Sequence, residues 1–153
     1  MARYLPIEGL TPVDDPFHRY SDMRALEVRC RGRGRSNGTH TLVYNLGAAA
    51  GSLDRPVGDL LRFFSVRLGI STKRKDAAGE DCAVFAGDHA AADLQSCLRE
   101  YIDGFVLCPE CSNPETALRV RNGVLMRACA ACGARRPTQG AERLVAYCAK
   151  RVS

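Results

Sequence analysis

The sequence predicts an α+β protein in which a small mixed α/β domain precedes a cysteine-bearing β-hairpin. Short β-rich runs and apolar helical periods alternate between residues 25 and 104. Two Cys-x-x-Cys pairs follow, with 17 residues between them. The chain has 153 residues, enough for one ordinary domain or two small ones. We predict a tail at 1–15, the α+β domain at 16–104 and the cysteine-bearing domain at 105–153.

The first elements along the chain are predicted to be an extended tail and a β-hairpin. Prolines and a glycine interrupt residues 1–15, so no helical or strand period survives there. Apolar and polar residues alternate over 25–29, and 41–44 is a second β-rich run. We expect these two runs to pair, which leaves the Arg- and Gly-rich segment 31–38 as an exposed hairpin tip.

Two helices are predicted after this hairpin. Asn45 is a candidate cap for the first helix. Pro56 suits the first turn of the second helix, and Gly69 is expected to end it. The second helix has the most regular apolar period in the chain. Its predicted core stripe consists of Val57, Leu60, Leu61, Phe64 and Leu68, with Arg62 on the opposite, solvent-facing side.

Two short strands and a third helix complete the predicted α/β domain. The strands are expected at 71–75 and 82–85. Asp88 is a plausible N-cap for the third helix, which would place His89 in the first helical turn and end at Gly104. Its predicted buried stripe consists of Leu94, Cys97, Leu98, Tyr101 and Ile102. The C-terminal segment 142–152 suits a strand or a helix equally.

The cysteine pairs have the spacing of a four-cysteine zinc site. Residues 117–121 and 124–128 are expected to pair around Asn122-Gly123, because a type I′ turn needs φ > 0 at both central positions. A hairpin with a cysteine pair at each base is a zinc ribbon. Four thiolates complete a tetrahedral shell, so the zinc would be structural and not catalytic. The four predicted ligands are Cys108, Cys111, Cys129 and Cys132.

The other cysteines and the overall composition are typical of an intracellular globular protein. Hydrophobic residues make up 46% and charged residues 25%, with no apolar run long enough to span a membrane. The N-terminus has no apolar core of a secretory signal, which favours metal ligands and free thiols over disulfides. Ordinary buried or half-buried thiols are therefore expected at Cys30, Cys82, Cys97 and Cys148.

Basic side chains are the chemistry that this sequence offers. The net charge is +5, from 22 Lys and Arg against 17 Asp and Glu, which permits an anionic partner such as RNA. No phosphate-binding loop, His-Glu-x-x-His or Gly-x-Ser-x-Gly motif is present, and the three histidines are scattered. Arginines cluster within 29–35, a basic run occupies 73–75, and Arg127, Arg135 and Arg136 accompany the ribbon.

The order of motifs along the chain points to a known family. The motifs are Asp15-x-Phe17-His18-Arg19-Tyr20, Gly32-Arg33-Gly34 with Asn37-Gly38, Thr41-x-x-x-Asn45, Leu53-x-Arg55-Pro56, Leu68-Gly69, Leu94-Gln-x-x-Leu98, the run 105–116, and Cys129-x-Ala-Cys132-Gly133. From about Asp15 to its end, the chain resembles the N-terminal domain of the eukaryotic translation initiation factor 5 family. It also resembles the paralogous beta subunit of translation initiation factor 2.

The resemblance implies activation of a partner's GTPase and contact with initiator tRNA. Arg19 would be an arginine finger for initiation factor 2, and Arg62 stands where the family has a supporting lysine. A family lysine before the second strand is replaced by His40, and the hairpin tip is two residues longer. The implied RNA contacts are Arg29, Arg31, Arg33, Arg35, Asn37, Lys73, Arg74 and Lys75.

The implied partners are the gamma GTPase subunit of initiation factor 2, initiator tRNA and the small ribosomal subunit. We expect a cytoplasmic monomer that has no enzymatic reaction of its own and no membrane association. Full-length relatives continue through a linker to a helical-repeat domain. This chain ends at Ser153, either as a domain of a longer protein or as a protein without that module.

Three alternatives remain at this point. One is a ribosome- and tRNA-binding regulator or competitor that does not activate GTP hydrolysis. Another is a beta-like subunit of initiation factor 2, against which the short N-terminus argues. The third is an unrelated zinc-ribbon transcription factor, since one fold hosts many functions.

Overall fold

The computed structural model of the protein describes residues 28–31, 40–75, 82–111 and 113–152, with the backbone alone at 28–31 and 75. These residues fall into two compact units, one within 25–98 and the other within 99–153. The predicted α+β class is confirmed, because helices accompany two antiparallel sheets. The domain boundaries 16–104 and 105–153 stay predictions, and the predicted tail 1–15 lies outside the described residues.

The first unit is built on a four-stranded antiparallel sheet in the order β1-β2-β4-β3. The predicted pairing of the first two strands is confirmed, with Arg29 opposite Leu42. The strands predicted at 71–75 and 82–85 are also present. The elements are β1 (Val28–Arg31), β2 (His40–Val43), α1 (Leu46–Ser52), α2 (Val57–Leu68), β3 (Thr72–Lys75), β4 (Cys82–Ala86) and α3 (Ala91–Tyr101), whose last residues belong to the second unit.

Aromatic packing fixes the orientation of α2 on this sheet. The ring of Phe64 lies 5.0 Å from that of Phe85 on β4, and Phe63 packs edge-on against Phe64. The buried arc of α2 therefore comprises Leu60, Phe63, Phe64 and Asp59. The predicted stripe is wrong in part, since Val57, Leu61 and Leu68 are only half-buried. The helical period identifies Leu60 and Phe64 as buried. It does not show whether the buried surface continues toward Asp59 and Phe63 or toward Leu61.

The sequence predicts one end of the first two helices correctly and the others only in part. Gly69 ends α2 as expected, with φ of 66° in the left-handed region. Asn45 precedes α1, but its side chain makes no capping hydrogen bond, so the predicted cap is wrong in that respect. Pro56 is the residue before α2 and not its first helical residue. Between the helices, buried Arg55 donates to the Asp54 carbonyl at 3.1 Å.

The start of α3 is later than predicted. Asp88 is not its N-cap and His89 is not in its first turn, because the helix begins at Ala91. Tertiary hydrogen bonds hold the preceding segment: the His89 N–H donates to Thr41 Oγ1 at 3.0 Å, and the Thr41 hydroxyl donates to the Gly87 carbonyl at 2.8 Å. The predicted buried stripe of α3 is confirmed at Leu94, Cys97, Leu98, Tyr101 and Ile102.

Gly104 does not end the third helix. The helix continues into a π-helical turn, Ile102–Val106, which contains Gly104. A side chain at Gly104 would meet the backbone carbonyl of Gln139, and the Gln139 N–H donates to the Gly104 carbonyl at 3.0 Å. The glycine therefore permits a close approach of two backbone segments and does not serve as a helix terminator.

The second unit contains the predicted hairpin, a third strand that was not predicted, and a helix in the segment that suited a strand or a helix equally. β5 (Thr116–Arg121) and β6 (Val124–Cys129) pair around Asn122-Gly123, whose φ angles of 53° and 76° confirm the positive-φ turn. A third strand, β7 (Arg135–Pro137), pairs with β6. The C-terminal segment, which could have been a strand or a helix from its sequence, is the helix α4 (Glu142–Val152). It packs against β5 and β6 and buries Leu144 and Cys148.

The cysteines outside the ribbon are buried where their burial is described, and the helices are short, as the composition led us to expect. Cys82, Cys97 and Cys148 are buried thiols outside any disulfide, as predicted, and Cys30 lies in β1. The longest of the regular helices is α2, with 12 residues. Across the described ranges, no helix has the length and apolarity that a membrane crossing requires.

Candidate metal centre

Two turns bring the four cysteines of the second unit together. In the first, the Cys108 N–H donates to the Asn113 carbonyl at 3.0 Å, which closes the loop around Cys111. In the second, the Gly133 N–H donates to the Cys129 carbonyl at 3.0 Å, and Gly133 has a positive φ of 76°. The β5–β6 hairpin joins the two turns, so the local sequence of each turn and the register of the strands position the thiols.

The geometry of the four sulfurs fits a tetrahedral metal ion. All four Sγ atoms lie within 4.8 Å of one another. The Sγ atoms of Cys108 and Cys132 are 3.6 Å apart, and those of Cys111 and Cys129 are also 3.6 Å apart. A tetrahedral shell with Zn–S bonds of about 2.3 Å puts its sulfurs about 3.8 Å apart. The cluster could therefore hold a metal ion without rearrangement of its backbone.

The pKa values of three of the four thiols are shifted, and not all in the same direction. Burial raises the pKa of Cys108, but the backbone N–H groups of Cys111 and Glu110 outweigh it and lower that pKa to about 7. The Asn113 N–H lowers the pKa of Cys111, yet burial and the neighbouring cysteines raise it to about 12. The pKa of Cys132 is also raised. A bound cation would favour the thiolate form of all four.

Arg127 is buried behind this centre and was not predicted there. The sequence suggested that it accompanied the ribbon as one of several basic side chains, but only 2% of it is exposed. Its guanidinium donates to the carbonyls of Asp103 at 2.8 Å, Leu107 at 2.7 Å and Pro137 at 3.0 Å. Burial lowers the pKa of Arg127, whereas the negative charge of Cys108 opposes that shift. The alternation of Leu125, Arg127 and Cys129 in β6 was the available signal, because these residues share one face.

The other predicted site residues lie in the first unit or outside the described residues. Arg62 is exposed on α2, and Lys73 and Arg74 are exposed on the edge strand β3. Arg29 and Arg31 lie in β1, at the opposite edge of the same sheet, and Lys75 ends β3. Arg19, Arg33, Arg35 and Asn37 lie outside the described residues.

The register of the first sheet relates the two basic edges. Arg29 is opposite Leu42, Leu42 is opposite Val84, and Val84 is opposite Lys73. With about 4.8 Å between neighbouring strands, the backbones of the two edges are about 14 Å apart. Directly opposed residues of antiparallel strands belong to the same side of a sheet. Arg29 and Lys73 therefore occupy one row of positions across the sheet.

Comparison with known proteins identifies the relatives of this chain. A family model described as a domain found in initiation factors 2B and 5 matches residues 12–135. The chain is 35% identical over 137 residues to eukaryotic translation initiation factor 5 of Saccharomyces cerevisiae, an alignment that covers 89% of this chain and 33% of that protein. The chain is 40% identical over 121 residues to the factor 5 of Caenorhabditis elegans, an alignment that covers 79% of this chain and 27% of that protein. It is 38% identical over 125 residues to the factor 5 of Mus musculus, with 80% of this chain and 28% of that protein covered. The chain thus spans about a third or less of these relatives' length.

Proposed function

The chain belongs to the family of the domain found in initiation factors 2B and 5, and on that basis we propose that it acts as a translation initiation factor in the cytoplasm. The observation that carries this proposal is the match over residues 12–135, which includes Arg19, Arg62 and all four candidate metal ligands. Its place of action would be the preinitiation complex on the small ribosomal subunit. It would act there as a monomer.

In that complex the chain would activate the GTPase of initiation factor 2 without an active site of its own. Arg19 would enter the nucleotide site of the gamma subunit, where an arginine supplied in trans stabilises charge on the transferring phosphoryl group. Arg62, exposed on α2, would add a second positive charge beside that site. Support for these roles comes from the family match and from the absence of a phosphate-binding loop in the sequence.

The basic residues of the first sheet would contact initiator tRNA during selection of the start codon. The exposure of Lys73 and Arg74 supports this role, because exposed cations can approach phosphates from the solvent. Arg29, Arg31 and Lys75 would contribute from the same two edge strands. Arg33, Arg35 and Asn37 would contribute from the hairpin tip.

The metal of the second unit would be zinc. Cys108, Cys111, Cys129 and Cys132 would hold it with four thiolates, the ligand set typical of structural zinc. The sulfur distances of 3.6 Å support this assignment. A shell closed by four protein ligands has no open position, so the ion would stabilise the ribbon and take no part in hydrolysis.

The test of this proposal is single-turnover GTP hydrolysis by initiation factor 2 bound to initiator tRNA on the small ribosomal subunit. The reaction is followed with no addition, with the wild-type chain, and with the Arg62→Ala and Arg67→Ala variants. Both arginines are exposed on α2, so Arg67→Ala is a matched control. We expect the wild-type chain to accelerate hydrolysis, Arg62→Ala to lose about tenfold or more of that acceleration, and Arg67→Ala to keep it. Equal rates for the two variants would remove Arg62 from the proposal.

The competing function is occupancy of the same ribosomal site without GTPase activation. It is favoured by His40 at the start of β2, where the resemblance implies a lysine in the family. This function predicts measurable binding of the wild-type chain to the small subunit with no acceleration of hydrolysis. A beta-like subunit would instead remain bound to the gamma subunit in the absence of ribosomes.

A further inference from the structure

The outer face of the metal-bearing sheet is exposed and basic. Along β5, β6 and β7, successive side chains alternate between two faces. One face carries Leu118, Leu125 and Arg127, all of which are buried. The other, which we call the ribbon outer face, carries Arg119, Arg121 and Arg135 together with Val124, Met126 and Ala128.

Every residue of the ribbon outer face keeps access to solvent. Arg119, Arg121 and Arg135 are exposed, Val124 is 46% exposed, and Met126 and Ala128 are half-buried. An alanine or methionine in the central strand would be fully buried if a helix lay across this side. Within the described part of the second unit, no element therefore covers the ribbon outer face.

The charge on this face is of one sign. Among the described strand residues on this side, three are arginines and none is acidic. The nearby acidic residue Glu110 pairs with Arg136 at 2.8 Å, and Arg136 lies opposite Arg127 on the other side. Arg119 and Arg121 are two residues apart on one strand, about 7 Å in backbone distance. Arg135 lies two strands away across Met126 and Ala128.

We propose that the ribbon outer face is an RNA-binding surface separate from the basic edges of the first sheet. Its arginines would bind phosphates, for which the planar guanidinium offers paired donors. Val124 and Met126 would supply apolar contact with exposed ribose and base surfaces. We favour RNA over a protein partner because RNA is anionic throughout, whereas a protein surface usually carries both signs of charge. None of the described strand residues offers a carboxylate that could pair with a partner's cations. The proposal goes beyond GTPase activation and uses none of the residues assigned to it.

The test compares two variants of the full chain that have lost the same charge. Arg119→Gln/Arg135→Gln removes two cations from the ribbon outer face. Arg136→Gln/Arg143→Gln removes two exposed cations from elsewhere in the same unit. Both variants retain the arginines of segment 31–38. The probe is a fluorescent, unstructured single-stranded RNA oligonucleotide, and its affinity is measured by anisotropy between low and moderate salt.

Loss of two phosphate contacts should flatten the slope of log affinity against log salt by about 1.4, or roughly 25-fold in affinity at 0.1 M salt. We expect that change in Arg119→Gln/Arg135→Gln, and at most a small fraction of it in Arg136→Gln/Arg143→Gln. Equal losses in the two variants would overturn the proposal, because they would indicate a response to net charge alone. Absence of RNA binding by the wild-type chain would also overturn it.

Two further measurements distinguish RNA from other ligands of this surface and separate RNA binding from the proposed GTPase activation. Preferential binding of anionic lipid vesicles or of polyglutamate over RNA, lost in Arg119→Gln/Arg135→Gln, would overturn the assignment to RNA. The Arg19→Ala variant should bind RNA with the wild-type salt slope. Failure of GTPase activation would therefore leave this result unchanged. Metal content and far-ultraviolet circular dichroism confirm that each variant is folded.

Discussion

Arg127 connects three separate backbone segments at the scale of a single residue. Its guanidinium reaches carbonyls in the π-helical turn, in the lead-in to the first cysteine pair and at the end of β7. A buried cation is costly to desolvate, and hydrogen bonds to such a group are stronger than those between neutral groups. The residue therefore ties the π-helical turn and the lead-in to the first cysteine pair to the end of β7.

Replacement of Arg127 by methionine should destabilise the second unit strongly. The change retains an extended apolar stem but leaves carbonyls without their donors, at a cost of about 3 kcal/mol or more. The measurement is urea unfolding of the metal-loaded protein. Arg136→Met is the control, because that exposed ion pair should contribute only about 0–1 kcal/mol. Similar midpoints for the two variants would contradict the role assigned to Arg127.

Two glycines should respond in opposite directions to the same substitution. Gly104→Ala places a methyl group against the Gln139 carbonyl, so we expect a loss of roughly 1–3 kcal/mol in unfolding free energy. Gly51→Ala meets nothing within 4 Å in α1 and should gain up to about 1 kcal/mol from helix propensity. Thermal unfolding of both variants checks the pair. A stable Gly104→Ala protein would be inconsistent with the close approach at residue 139.

Local chemistry determined which elements could be predicted from sequence. The Asn122-Gly123 turn and the cysteine spacing predicted the hairpin and its four ligands, because each signal acts within a few residues. The three-residue strand β7 has no alternation of its own and exists through pairing with β6, as where Arg135 lies opposite Ala128. Nothing in its own sequence distinguishes it from a loop.

Tertiary contacts explain the elements that the sequence placed incorrectly. The start of α3 depends on hydrogen bonds between Thr41 and the segment around His89, which are far apart in the chain. In α4, Leu144 and Val145 suited either a strand or a helix, and burial of Leu144 with Cys148 one turn later identifies the helix. Arg127 was missed for the same reason: its three partners come from three different segments.

Removal of the metal should unfold the second unit and spare the first. Structural zinc contributes about 10–16 kcal/mol of apparent folding free energy in small finger peptides. The first unit buries its own core around Phe64 and Phe85, and its described residues include no cluster of candidate metal ligands. Hydrogen exchange of the full chain with a chelator should therefore show lost protection in β5 and β6 and retained protection in β2 and β4.

A ligand substitution should reproduce the effect of the chelator. Cys129→Ser should lower the bound metal and the protection of β6. Cys97→Ala, at a buried thiol outside the cluster, is the control and should keep full metal content. Metal stoichiometry is measured by mass spectrometry of the native protein. Full occupancy in Cys129→Ser would argue against the four-thiolate site.

At the scale of the whole molecule, the main functional feature is a set of basic surfaces carried by two compact units. Its net charge of +5 is modest, but cations are concentrated on the edges of the first sheet and on the ribbon outer face. The four candidate ligand sulfurs lie close enough together to hold a metal ion. In the proposed function, the basic surfaces would supply charges to a reaction that takes place on a partner.

In the proposed function, Arg19 supplies one of these charges to the GTPase of initiation factor 2. Its most direct test is the single-turnover rate of GTP hydrolysis in the preinitiation complex with the wild-type chain, Arg19→Ala and Arg19→Lys. An arginine finger predicts acceleration by the wild type and a loss of about 10³-fold or more in Arg19→Ala. Lysine should recover little of it, because it lacks the planar guanidinium fork. Wild-type acceleration by Arg19→Ala, or no acceleration by any of the three proteins, would contradict the claim.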